Sequence, residues 1–156
     1  MFAYAQISGS VRGATGAGLA GAPDSETPNA RFQFHVGSAT FNNPTRTHGN
    51  LAIAVRGDQS LTDIQLRELR RLDVDAENGT ARFSGSAVLT ARSRTGAQRT
   101  QGVVVVRVAD NRGPGQTEGA PDTISVAFFT NPDSDPVFTY SGVVKQGDIK
   151  GFSRSR

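Results

Sequence analysis

The chain has 156 residues, 36% of them hydrophobic and 20% charged, with 18 glycines, no cysteine and a formal net charge of +3. This length fits a single domain over 1–156 with one core, and the missing cysteine excludes disulfides, thiolate metal sites and cysteine nucleophiles. No run approaches the roughly 20 apolar residues of a membrane span, so no span is expected. The positive charge is nearly all arginine; Lys145 and Lys150 are the lysines. The arginines recur at alternating positions rather than in one cluster, as on a solvated sheet face, so no nucleic-acid partner is expected.

Ala5 to Arg12 reads as a first strand. Residues 13–28 (GATGAGLAGAPDSETP) read as a flexible Gly/Ala/Pro connection. They contain a formal G-x-G-x-x-G at Gly16, Gly18 and Gly21, but Pro23 and Pro28 leave no room for the helix that a dinucleotide fingerprint needs. Ala30 to Val36 alternates Phe32, Phe34 and Val36 against Arg31, Gln33 and His35, the pattern of an antiparallel sheet with one wet face. Asn50 to Arg56 repeats it through Leu51, Ile53 and Val55. Ser60 to Leu72 (SLTDIQLRELRRL) mixes helix-favouring residues with a partial helical stripe, and predicts a short helix near 61–70 or an irregular turn leading into a strand.

Leu72, Val74 and Ala76 then alternate, and Asn78-Gly79 marks a hairpin into Ala81, Phe83, Ala87 and Leu89. Gly85 within that strand signals a bulge or a close backbone contact. Val103 to Val106 are four consecutive valines, with Val108 after Arg107, and predict a central strand dry on both faces. It runs into the polar loop Asp110 to Asp122. Thr123 to Thr130 forms its expected partner strand. Asn131 to Pro136 is a dense turn, and Val137 to Lys145 with Asp148 to Phe152 form a last hairpin around Gln146-Gly147. The tail 152–156 is basic and expected to fray. Nine or ten strands at this spacing predict an all-β antiparallel β-sandwich or jelly-roll-like barrel. Its expected core is Phe32, Phe34, Leu51, Ile53, Phe83, Val104, Val106, Ile124, Val126, Phe128 and Tyr140.

No catalytic constellation stands out. Asp73 to Gly79 echoes a calcium loop, but its glycine comes one place late and its twelfth position is Ser84. Asp133 and Asp135 are turn formers. His35 and His48 do not make a zinc triad. Asn78-Gly79-Thr80 is a glycosylation sequon held in a tight turn. The candidates for a cation, calcium being the suited one, are Asp110, Asn111 and Asp122, hard oxygen donors at the two ends of one loop. The same three can instead bond that loop's backbone amides, the commoner use of Asp and Asn at strand ends.

In order along the chain come Gly49-Asn50-Leu51, Asn78 to Gly85 (NGTARFSG), Val106 to Gly115 (VRVADNRGPG), Asp122 to Val126 (DTISV), Tyr140-Ser141-Gly142 and Gly147-Asp148-Ile149. This series resembles the bacterial post-choice-of-anchor domain of secreted and cell-surface proteins, over residues 30–149. Leu66 to Leu72 departs from it as an insertion. The resemblance implies an extracellular all-β accessory domain without catalytic residues, so no site residue carries over. The chain itself shows no complete signal peptide. The expected role is a non-catalytic structural or adhesive module that meets a protein surface or another copy of itself, with Ala5 to Arg12 completing a neighbour's sheet. A carbohydrate-binding module, calcium-assisted in one form and taking polysaccharide, is the alternative. An enzyme whose site is assembled from distant residues is the third.

Overall fold

The computed structural model describes residues 9–41, 45–75, 77–111 and 120–155. Eight strands account for most of them: β1 Gly9–Gly21, β2 Ala30–Phe41, β3 Thr45–Gly57, β4 Ser60–Asp75, β5 Thr80–Ser93, β6 Gly96–Ala109, β7 Thr123–Phe129 and β8 Phe138–Ser155. Each pairs antiparallel with its sequence neighbours, and β8 returns to β1, so one sheet closes into an up-and-down barrel. The all-β antiparallel expectation holds. The strands are eight rather than nine or ten, and they form a single ring in consecutive order, without the crossovers of a jelly roll.

Strand alternation explains the core. Phe32, Phe34 and Val36 point inward from β2, Leu51, Ile53 and Val55 from β3, Val104, Val106 and Val108 from β6, and Ile124, Val126 and Phe128 from β7. All eleven expected core residues are buried. Phe34 stacks between Phe32 at 6.2 Å and Phe83 at 5.5 Å, centroid to centroid. Small residues opposite make room for these rings: a Cβ on Gly16 of β1 would lie 2.7 Å from the Phe34 ring. The interior is thus filled by side chains, as small barrels usually are.

Five local expectations are corrected. The segment 61–70 is not helical but the first two-thirds of β4. Ile64, Leu66, Leu69 and Leu72 all reach the core because the β4–β5 register shifts between Leu66 and Glu68 and again between Leu69 and Arg71. Each bulge inserts one extra residue, so a spacing of three lands on the same face and imitates a helical stripe. Residues 13–21 are not a loose connection but the body of β1, bonded to β2 on one edge and to β8 on the other. Only the turn after Gly21 remains of the proposed linker. This removes the tether on which donation of a first strand was premised.

No hairpin forms at Gln146-Gly147. β8 runs through it with a bulge opposite Leu19 and Ala20, and Gly147 adopts φ 102°, a conformation that favours glycine. The backbone of the expected frayed tail continues β8 as far as Ser155, opposite Ser10. The valine strand is dry on one face only: Val104, Val106 and Val108 are buried, but Val103 is 36% exposed.

The Asn78-Gly79 hairpin is found as expected between Asp75 and Thr80, with Gly79 at φ 68°. The Asp75 carboxyl group accepts both the Asn78 backbone N–H (3.1 Å) and its side-chain amide (2.7 Å), occupying the sequon's asparagine. β6 pairs with β7 from Val103↔Phe129 to Ala109↔Thr123, the partnership expected of the two strands. Among the described residues no helix is long and apolar enough to cross a membrane, which leaves strand-built spans unaddressed.

Candidate functional site: an aspartate trio at the seam between β7 and β8

β7 and β8 are unequal. β7 ends its pairing at Thr123↔Val143, while β8 continues to Ser155 along β1. From residue 144 onward the edge of β8 that faced β7 needs other acceptors for its amides. Asp122, the residue before β7, supplies them. Its backbone carbonyl accepts Val144 N–H at 2.8 Å, and its Oδ2 accepts Ile149 N–H at 3.0 Å. Its Oδ1 accepts Asn111 N–H at 2.8 Å from the other end of the loop. Asp122 is only 4% exposed. Asp110 extends the arrangement, since its carboxyl group accepts the Gly151 N–H. Its own N–H donates to the Gly79 carbonyl at 2.7 Å, tying the end of β6 to the β4–β5 turn.

Carboxyl oxygens of Asp110, Asp122 and Asp148 all lie within 4.8 Å of one another. Two of the three sequence candidates are therefore in the cluster. Asn111 is beside it but turned away: its side-chain amide donates to the Pro121 carbonyl at 2.9 Å. Asp148 was missed. It opens what the sequence reads as the second strand of a hairpin, and only the bulge in β8 brings it to Asp122. The one available signal was the change of phase from Tyr140, Gly142 and Val144 to Ile149, which a bulge and a turn produce alike.

Burial pushes the Asp148 carboxyl up from its ordinary value, and its hydrogen bond to Asp122 and the negative charges of Asp122 and Asp110 add to this. Burial and the Asp122 charge likewise raise Asp110, against the Gly151 N–H and the Lys150 charge, which lower it. The Asp148 and Asp122 carboxyl groups are thus hydrogen-bonded to one another. Three hard oxygen donors at this spacing also suit calcium or magnesium by ligand type. The amide bonds to Asp122 show the alternative use of the same oxygens, holding backbone.

Raised carboxyl values have a definite sign. The folded chain keeps protons on Asp110 and Asp148 at pH values where the unfolded chain has released them. Their contribution to stability is therefore full below the ordinary carboxyl range and lost as pH rises through the raised values. In calorimetry the thermal midpoint should fall as pH rises from the ordinary carboxyl range to pH 7.5. Asp148→Asn should raise the midpoint at pH 7.5 and flatten the slope, with about 1 kcal/mol reading as roughly 2–4 °C for a chain of this size. A midpoint rising over that pH interval in the unsubstituted chain would contradict the charge crowding.

His35 and His48 meet on the outer face of β2 and β3 with ring centroids 6.2 Å apart and no carboxylate in a shared cluster among the described residues. Asp133 and Asn131 form the expected turn, with Asp133 N–H on Asn131 Oδ1 at 3.0 Å. Gly16 and Gly18 of the formal dinucleotide motif lie in mid-strand, and no helix follows them.

A scan against protein-family models matches no family, and searches of curated proteins and of solved structures find no match.

Proposed function

We propose that this chain is a non-catalytic module of a secreted or cell-surface protein, structural or adhesive in role, working through the outside of its barrel. The observation that supports this reading is the filled interior. Phe32, Phe34, Phe83 and Phe128 occupy the middle of the barrel together with Ile53, Ile64, Ile124 and Ile149, all nearly inaccessible. Eight-stranded barrels that take a small ligand do so in an open interior, and here that interior is occupied by packed side chains. The resemblance to an extracellular accessory domain points the same way. The module acts as a closed unit, since β1 is paired on both edges within its own chain.

Beads coated with folded chain should be retained on bacterial cell surfaces or their matrix, and beads coated with heat-unfolded chain should not. Equal retention of both, or of neither, would end the adhesive reading. Light scattering separates the self-assembling form: a monomer at all concentrations excludes exchange of β1 between copies.

A further inference from the structure

The chain has two histidines, and the fold sets them side by side. Both are exposed on the outer wall by strand alternation, His35 on β2 between the buried Phe34 and Val36, and His48 on β3. The register places His48 directly opposite Gly37, two residues along β2 from His35. Gly37 is what lets the rings meet. A Cβ built on it would lie 3.3 Å from Cε1 and 3.4 Å from Nε2 of His48, so this imidazole lies over bare backbone and leans toward β2. The ring centroids are then 6.2 Å apart, with 49° between the ring planes. The β2–β3 ladder runs past the pair in both directions, from Ala30↔Val55 to Thr40↔Thr45, so the two backbones are fixed relative to one another. Among the described residues neither imidazole is engaged in a hydrogen bond or ion pair.

We infer that His35 and His48 form a two-point chelate for a borderline transition-metal ion, of the class of zinc, nickel and copper(II), a site that is independent of the adhesive reading above. The spacing is that of rings sharing one ion. An imidazole nitrogen binds zinc at about 2.0–2.1 Å, which puts the ion roughly 3.2 Å from the ring centre; two rings on one tetrahedral ion then have centres about 5.2 Å apart, and two on opposite sides of it about 6.4 Å. The observed 6.2 Å lies between those limits. Both side chains are exposed, so rotation about their own χ angles closes what remains. The donor set selects the class of ion. Neutral imidazole suits zinc, copper and nickel, whereas calcium and magnesium take oxygen donors. No carboxylate joins the pair among the described residues, and the chain has no cysteine. Along the ladders through the pair the charged residues are Lys150, which faces Thr15 next to His35, and Arg46, two residues before His48. Both are cationic, so an ion here is held by its bonds to nitrogen and not drawn in by the field, which again disfavours a hard cation. Two histidines leave the ion's other positions to water, so the binding is reversible and moderate in strength.

The test is a titration of the untagged, isotope-labelled chain with zinc chloride at pH 7.5, following the imidazole ring protons and the backbone amides. Calorimetry supplies the affinity, with nickel, copper(II) and calcium chlorides run alongside. Both rings should move together and saturate at one zinc ion per chain, with a dissociation constant of about 1–100 μM. Copper(II) should bind tightest, following the usual order of first-row ions, and calcium should leave the rings unmoved. His35→Gln and His48→Gln, at exposed positions that the fold does not need, should each weaken zinc about tenfold or more, since one imidazole then remains. Gly37→Thr keeps both histidines but sets a side chain where the His48 ring lies, and should weaken zinc about threefold or more while the far wall of the barrel keeps its spectrum. The inference is overturned if the two rings saturate separately, or if any of the three variants binds zinc within about twofold of the unsubstituted chain. It is equally overturned if zinc moves the amides around Asp110, Asp122 and Asp148 and leaves the rings unmoved. Retention on cells does not enter this test, so the chelate and the adhesive reading fail separately.

Discussion

Gly85→Val should cost roughly 3 kcal/mol or more and lower the thermal midpoint by about 6–12 °C, as overpacking against immovable backbone does. Gly85 faces inward from β5 opposite Leu69, between the two bulges of β4. A Cβ there would overlap the Glu68 carbonyl oxygen and come within 3.0 Å of Leu66 Cδ1. The carbonyl cannot swing away, because the bulge that places it is also what turns Leu66 and Leu69 into the core. The substitution must therefore spread β4 from β5 or unwind the bulge, and either exposes leucine. Gly151→Ala is the matched control. Among the described residues its Cβ would meet the Gly13 carbonyl oxygen at 3.9 Å, ordinary contact, and it should stay within about 0.5 kcal/mol of the unsubstituted chain. Urea unfolding of the three proteins checks this; equal midpoints for Gly85→Val and Gly151→Ala would refute the packing account.

That same glycine shows what was legible in the sequence. A glycine inside an alternating strand reads as a bulge or close backbone contact, and Gly85 is the second, set against the bulged β4. Phe32, Phe34, Ile124 and Val126 announced their faces through a period of two, and Asn78-Gly79 announced its turn. What failed was whatever depends on a bulge, because a bulge changes the phase of the pattern without changing its residues. Leu66, Leu69 and Leu72 therefore looked helical, and Gln146-Gly147 looked like a turn. Residues 13–21 failed for a different reason. Their alanines and glycines carry no amphipathic signal, yet small side chains are what a strand needs where Phe34 and Ile149 press on it. The candidate acidic site was half legible for the same cause. Asp110 and Asp122 flank one loop and could be joined by strand pairing alone, whereas Asp148 arrives only through the bulge in β8.

Asp122→Ala should destabilise the chain by about 2–4 kcal/mol at pH 5, and by less at pH 7.5. The loss comes from the amides it deserts. Ile149 is 1% exposed and its N–H points at Asp122 Oδ2, so water does not readily replace the carboxyl oxygen. A buried N–H without a partner costs about 1–3 kcal/mol, and hydrogen bonds to charged groups lie at the upper end of net contributions. Asn111 N–H loses its acceptor too. Against this stands a gain. With Asp122 gone, Asp148 and Asp110 lose a negative neighbour that raised both, so the penalty for ionising them shrinks. That gain counts only where the groups would ionise, which is why the net cost is smaller at pH 7.5. Asp122→Asn separates the parts. Its amide oxygen can still accept one N–H, but its NH2 group would face the other, so it should recover about half of the lost stability while removing the charge. Calorimetry of the two variants at both pH values decides the matter. If Asp122→Ala costs the same at pH 5 and pH 7.5, the carboxylates are not crowded in the folded chain. If it costs nothing at either, the end of β8 is held by β1 alone and the seam needs no clasp.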